Sequence, residues 1–153
     1  MKLAVASDHA GVALKQRVAE DLRACGHEVT DLGSNSPEPV DYPDYAEKVA
    51  HAVLHREVER AILICGSGAG ACVAANKFKG IRAATCHDSF SVRQCVEDDD
   101  VNVLCLGARV LGPELAITLV RDYIAAKFSG AERHRRRLAK VAAFEERFNS
   151  KTP

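Results

Sequence analysis

Ala61-Ile62-Leu63-Ile64-Cys65-Gly66-Ser67-Gly68-Ala69-Gly70 is the stretch on which the fold turns. Its first five residues are apolar without a break, the pattern of a strand covered on both faces inside a parallel sheet. Three glycines follow, and small side chains continue to Ala75. The order reads as strand, tight turn and helix start.

The same order recurs in both directions along the chain. Residues 2–6 form a short apolar run ending in Ser7-Asp8-His9-Ala10-Gly11, after which Val12, Leu14, Val18, Leu22 and Cys25 fit a helical stripe. Residues 28–32 read as a second strand, residues 33–43 as a turn-rich loop holding three prolines, and residues 45–56 as a helix with Tyr45, Val49, Ala52 and Val53 on one side. Residues 83–86 and 103–106 supply two more strands. Between them lies a segment closing on the acidic run Glu97-Asp98-Asp99-Asp100, for which a solvated loop is the plain alternative to a functional role. Residues 113–128 and 133–148 predict the last two helices. Alternating strands and helices predict an α/β protein: a three-layer α/β/α, Rossmann-like arrangement around a five-stranded parallel sheet. With 153 residues, no repeat and no linker, the chain is read as one domain spanning 1–153.

Composition narrows the functional classes. The 21 basic and 21 acidic side chains cancel, so the chain lacks the basic field that recruits nucleic-acid phosphates, and 5% aromatic residues with no Trp disfavour a base-stacking platform. No stretch approaches the roughly 18 apolar residues of a membrane span. An aspartate and a histidine at positions 8 and 9 interrupt the N-terminal apolar run too early for a secretion signal, which predicts a cytoplasmic protein. The six cysteines, Cys25, Cys65, Cys72, Cys86, Cys95 and Cys105, include no Cys-x-x-Cys pair. They read mostly as small buried apolar groups, with neither a zinc site nor a disulfide framework.

Ligands of open parallel sheets bind beyond the carboxyl ends of the strands, where strand order reverses. The groups in those loops are Asp8-His9, the Cys65-to-Gly70 turn, His87-Asp88 and Arg109. Gly66, Gly68 and Gly70 permit close backbone approach, and helix-start N–H groups favour an anion or a developing negative oxygen. No Lys-Ser or Lys-Thr completes a Walker loop, and the spacing is not that of a dinucleotide fingerprint. Cys65 ends the strand at a helix N-terminus, where a thiol can fall from ~8.5 to ~7 and become a useful base; the plain alternative is a buried cysteine finishing a strand. Arg133 and Arg137, four apart on a helix, can converge on one dianionic phosphate, unless Arg133-His134-Arg135-Arg136-Arg137 is only a solvated basic helix start.

Taken in order, Ala-Ser-Asp8-His9-Ala-Gly, Asp41-Tyr-Pro43, Ile-Leu-Ile-Cys65-Gly-Ser-Gly-Ala-Gly, Ala-Ala-Asn76-Lys77, Gly80-Ile-Arg82-Ala, Asn102-Val and Gly107-Ala-Arg109-Val resemble the type B ribose-5-phosphate isomerases. The related galactose-6-phosphate and allose-6-phosphate isomerases share the pattern. The resemblance implies an aldose-ketose isomerase working through an enediolate without metal or cofactor, in a site shared by two subunits of a homodimer that could pair into a tetramer. It implies Cys65 as the base between C1 and C2, assisted by Ser67. The backbone of Gly66, Ser67, Gly68, Ala69 and Gly70 would hold the oxyanion, each such donor contributing about 3 kcal/mol. Asp8 and His9 match substrate contacts; Arg109, Arg133 and Arg137 match substrate or phosphate contacts, some from the partner chain. Helix 133–148 would thus serve both dimer and phosphate site. One branch of the family uses a glutamate in the loop instead of cysteine; Ala69 stands there in this chain.

One departure stands out. Where the family usually carries a histidine that opens the furanose ring this chain has Asp98, and Asp99 follows where asparagine is frequent. Asp98 could act as the acid if Glu97, Asp99 and Asp100 raise its pKa; His87 could reach the ring oxygen; or the substrate could need no ring opening, as with a tetrose 4-phosphate. The reading ranks ribose 5-phosphate first. A catalytically silent phosphosugar-binding module is the alternative from another class, and a flavodoxin-like flavin carrier lacks aromatic residues near the loop.

Overall fold

In a computed structural model, which describes residues 1–149, β3 (Arg60–Cys65) is the strand around which the sheet is built. It pairs in parallel with β1 (Lys2–Ser7) on one side and with β5 (Val103–Gly107) on the other. β2 (Glu28–Asp31) lies outside β1, and β4 (Ala83–Thr85) lies outside β5, giving the order β2-β1-β3-β5-β4. The helices are α1 (Val12–Ala24), α2 (Tyr42–Leu54), α3 (Ala69–Ala75), α4 (Ser89–Asp99), α5 (Pro113–Ala125) and α6 (Glu132–Asn149). A short 3₁₀ turn, His9–Gly11, precedes α1. Residues 150–153 of the predicted domain lie outside the described residues.

Successive strand residues feed two cores, because their side chains point to opposite faces of the sheet. Leu3, Val5, Ile62, Ile64, Leu104 and Leu106 pack with Leu14, Val18, Leu22, Val92 and Leu119 of α1, α4 and α5. Ala4, Ala6, Ala61, Leu63, Cys65, Val103 and Cys105 pack with Ala46, Val49, Ala50, Ala71 and Ala75 of α2 and α3. The second face is built from small residues, so those two helices lie close to the sheet. That is the physical use of the small side chains after the glycine turn.

Several sequence boundaries change. The acidic run is no loop: Glu97, Asp98 and Asp99 form the last turn of α4, and Asp100 caps it in the left-handed region at φ +49. Arg82 makes this possible by donating from Nε to the Asp100 and Asp99 carbonyls and from Nη2 to the Asp100 carboxylate at 2.7 Å. α2 begins three residues early, at Tyr42, because Pro43 sits in the first turn, where its missing N–H costs nothing. α5 stops at Ala125 because Ala126 is extended. The cysteines are also less uniformly buried than expected: Cys65, Cys86 and Cys105 are buried, Cys72 and Cys95 are partly exposed, and Cys25 is exposed.

α6 is the element least embedded in its own chain. His134 anchors its start, buried to 2% exposure, while Val141, Phe144 and Phe148 are exposed on its far half. Spaced i, i+3 and i+7, they form one apolar stripe.

A buried lysine ties the first half of the chain together. Lys15 of α1 is fully buried, with Nζ 2.5 Å from Asp31 Oδ1 and 2.7 Å from Asn35 Oδ1. The same Asp31 oxygen accepts the Gly33 N–H, so one carboxylate fixes both α1 and the loop after β2. Removing that carboxylate strands an ammonium in the interior. Asp31→Ala is expected to cost about 3 kcal/mol in urea unfolding, and Lys15→Met clearly less, since the Asp31 carboxylate it leaves is partly exposed and keeps the Gly33 N–H. Equal losses in the two variants would contradict this account.

Candidate active site

β1 and β3 are neighbours whose following helices leave to opposite faces, so their carboxyl ends open a crevice. A cavity of about 340 Å³ lies there. Asp8, His9 and Ala10 line it from β1, Cys65, Gly66, Ser67 and Gly70 from β3, Tyr42 from α2, and Arg109 and Val110 from beyond β5.

On the β1 side, Asp8 is 7% exposed and accepts the Ala10 N–H on Oδ1 at 2.9 Å, capping the 3₁₀ turn. His9 is held by the Val40 N–H, which donates to Nδ1 at 3.2 Å. The Val40 carbonyl lies 3.3 Å from the same nitrogen, so both backbone groups of Val40 hold this edge of the ring and leave Nε2 free of them. The loop after β2 thereby fixes the ring position of a cavity residue.

On the β3 side, the Cys65 thiol is 4% exposed, and the Gly68 N–H donates to its Sγ at 3.1 Å. The turn can curl back over the sulfur because Gly68 adopts φ +82, and any Cβ there would lie 3.0 Å from the Leu106 carbonyl carbon. Gly70 meets a different demand. A Cβ at that position would lie 2.9 Å from the Tyr42 ring, so the glycine lets the phenol form a wall of the cavity. Ser67 is exposed, and its Oγ accepts the Ala69 N–H at 3.3 Å. The β5 loop is locked to the same turn by Ala108 N–H to Cys65 O at 2.9 Å and Arg109 N–H to Gly66 O at 3.0 Å. This holds the Arg109 backbone at the rim.

Asp8, His9, Cys65, Gly66, Ser67, Gly70 and Arg109 therefore share one cavity, with Gly68 and Ala69 in the turn that shapes it. Asp98, Asp99, His87, Arg133 and Arg137 do not line it within one chain. His87 is exposed after β4. Asp98 and Arg133 meet at a second place, where α4 ends beside the start of α6. The Asp98 carboxylate lies 3.4 Å from His134 Nδ1, Ser129 Oγ lies 2.7 Å from the same nitrogen, and Arg133 Nε donates to His134 Nε2 at 2.9 Å. A guanidinium has no acceptor, so His134 presents a bare Nε2 to it and keeps its proton on Nδ1. Arg133 is thus held through Nε while the guanidinium remains exposed to solvent.

Tyr42 and His134 were not singled out by the sequence reading. The local signal for Tyr42 was Tyr-Pro at a helix start; its closeness to Gly70 is a long-range contact. His134 sat inside a basic run whose arginines drew the attention. Among the described residues, no three His, Cys, Asp or Glu side chains converge as a metal-binding set, and no helix is long and apolar enough to cross a membrane.

Known proteins share this arrangement over nearly the whole chain. The ribose/galactose isomerase family profile matches residues 3–141. Ribose-5-phosphate isomerase B of Escherichia coli K12 is 44% identical over 148 residues, covering 97% of this chain and 99% of that one. D-erythrulose-4-phosphate isomerase of Pectobacterium atrosepticum is 40% identical over 131 residues, covering 85% and 86% respectively. The solved ribose-5-phosphate isomerase B of Clostridium thermocellum superposes with a TM-score of 0.95 at 44% identity, covering 97% of this chain and 99% of its own. With the crevice, the cysteine-ended strand and the glycine turn all in place, the chain belongs to the ribose/galactose isomerase family.

Proposed function

We propose that this chain is an aldose-ketose isomerase that interconverts ribose 5-phosphate and ribulose 5-phosphate as a cytoplasmic homodimer of the pentose phosphate pathway. The observation that carries the reading is the Cys65 sulfur in the wall of the crevice, beneath the Gly68 N–H and facing the same space as Asp8 and His9. The names of full-length relatives at 44% identity support the substrate.

The reaction moves hydrogen from C2 to C1 of one molecule and leaves its overall oxidation level unchanged, so a single well-placed base suffices and no cofactor is required. Cys65 takes the C2 proton of the open-chain aldose and delivers a proton, exchanged in part with solvent, to C1 of the enediolate. Ser67 and the backbone of Gly66 to Gly70 receive the negative charge that develops on oxygen, where fixed donors are most effective. Asp8 and His9 bind sugar hydroxyls, and Arg109 closes the rim. Arg133 and Arg137, which face away from this chain's own cavity, bind the phosphate in the site of a second copy. The exposed stripe of Val141, Phe144 and Phe148 on α6 supports an embrace between two chains.

Ring opening is assigned to Asp98 at the α4 end or to His87 in the β4 loop, with Asp99 as a substrate contact, all brought to the second copy's site. The second reading, a tetrose 4-phosphate isomerase, is favoured by the 40% identity to the erythrulose-4-phosphate enzyme and by the absence of a histidine at position 98.

Cys65→Ala is expected to lower kcat by about 10³-fold with little change in phosphate binding, whereas Arg137→Ala should mainly raise KM. Because each site draws on two chains, mixing and refolding the two variants together should restore up to about a quarter of wild-type activity through heterodimers carrying one intact site. No recovery from a mixture that demonstrably exchanges subunits would refute the shared site. A kcat/KM for erythrose 4-phosphate far above that for ribose 5-phosphate would replace the pentose reading with the tetrose one.

A further inference from the structure

Two cysteines outside the Cys65 cavity face each other across the β4–α4 connection. Cys86 follows β4, Cys95 lies on α4, and their sulfurs are 4.0 Å apart. Cys86 is 5% exposed, while Cys95 is partly exposed and lies 3.1 Å from the Val92 carbonyl. We propose that Cys86 and Cys95 form a dithiol modification site that a peroxide converts to a reversible intrachain disulfide. This inference does not rest on the isomerase reading.

Geometry selects this pair among the six thiols. A disulfide needs about 2.05 Å between sulfurs, so the pair must close by about 2 Å, within the reach of side-chain rotation and a small helix shift. α4 can supply that shift: it packs on α5 and lies along one face of the sheet rather than being a strand within it. Cys72 and Cys105 also interact, but Cys105 is fully buried in β5, a strand paired on both sides and unable to move.

The two thiols also differ in chemistry. Cys95 donates its S–H to the Val92 carbonyl and so keeps its proton, while hydrogen bonding between the two thiols holds Cys86 below its ordinary value and, with burial, pushes Cys95 up. Cys86 is therefore the attacking thiolate and Cys95 the resolving thiol. Attack of the Cys86 sulfur on hydrogen peroxide forms an S–O bond and breaks O–O, leaving a sulfenic acid and hydroxide, which is neutralised to water. Attack by Cys95 sulfur then forms S–S and breaks S–O, and the departing hydroxide takes the Cys95 proton as water. Two thiols lose two electrons, and one peroxide becomes two waters.

The bridge would act on a functional region. Cys86 directly precedes His87 and Asp88, and the Asp88 side chain caps α4 through the Ser91 N–H at 2.8 Å. One turn beyond Cys95, Asp98 faces His134. Drawing α4 toward β4 therefore bears on the seam between α4 and α6.

The test is peptide mapping of the full chain after reduction, brief exposure to hydrogen peroxide, alkylation of remaining thiols and digestion with trypsin. Cleavage after Arg93 places Cys86 and Cys95 on different peptides. The second peptide also carries Cys105, so fragment spectra identify the bridging sulfur. The expected result is a Cys86–Cys95 cross-link about 2 Da lighter than the summed reduced peptides, reversed by dithiothreitol. It should vanish in Cys86→Ala and in Cys95→Ala and persist in Cys72→Ala, with circular dichroism verifying the fold of each variant. Cys72 is the internal competitor, because hydrogen bonding by the Cys105 thiol, opposed by burial and aided by Thr85 and Asn76, brings it down to about 6. A cross-link between Cys72 and Cys105 instead, Cys86 passing to sulfinic acid without bridging, or both thiols remaining alkylatable after Cys72 is oxidised would each overturn the proposal.

Discussion

The parallel pairing of β1 with β3 is the constraint that everything else depends on. These strands are adjacent in the sheet, Ser7 opposite Ile64, yet they hand the chain to helices on opposite faces. Two loops that start side by side must therefore diverge, and a crevice between them is unavoidable. The Asp8 N–H donates across the pair to the Ile64 carbonyl at 3.1 Å, so the floor of the crevice is part of the sheet's own hydrogen bonding. A polar group at the end of either strand has nowhere else to point.

Chemistry follows from what the chain puts at that floor. The glycine turn after β3 bends back far enough to aim an amide at the Cys65 sulfur, and the β5 loop is bonded to the same turn. The small side chains of α2 and α3 serve the same end, bringing helices close enough that Tyr42 stands over Gly70. The cavity is thus preorganised within one chain. Arg133 of α6 and Asp98 at the end of α4 are organised elsewhere, on either side of His134.

Much of this was legible in the sequence because it is local. Apolar runs marked β1, β3, β4 and β5, while β2 reads Glu-Val-Thr-Asp; of the four loops that carry a polar or reactive residue, those after β1, β3 and β5 line the cavity and the one after β4 does not. The apolar run before Cys65 and the glycines after it identified strand, turn and helix without long-range information. What could not be read is what depends on partners distant in sequence. The acidic run looked like a solvated loop until Arg82, from another element, supplied donors for the carbonyls of a helix end. Tyr42 became a wall residue only through Gly70, and Asp98 acquired an imidazole neighbour only because α6 starts where α4 ends. Burial of the cysteines was overstated for a similar reason: Cys95 belongs to a helix flank whose covering depends on packing rather than on pattern.

The central claim is that the Cys65 sulfur carries the proton between adjacent sugar carbons. The most direct measurement is proton NMR of ribose 5-phosphate in deuterated water with the wild-type protein and with Cys65→Ala at equal, saturating occupancy. Deuterium should appear at C2 with the wild-type protein and stay at the uncatalysed background with the variant. Exchange at C2 that persists in Cys65→Ala, or none in either protein, would contradict the account.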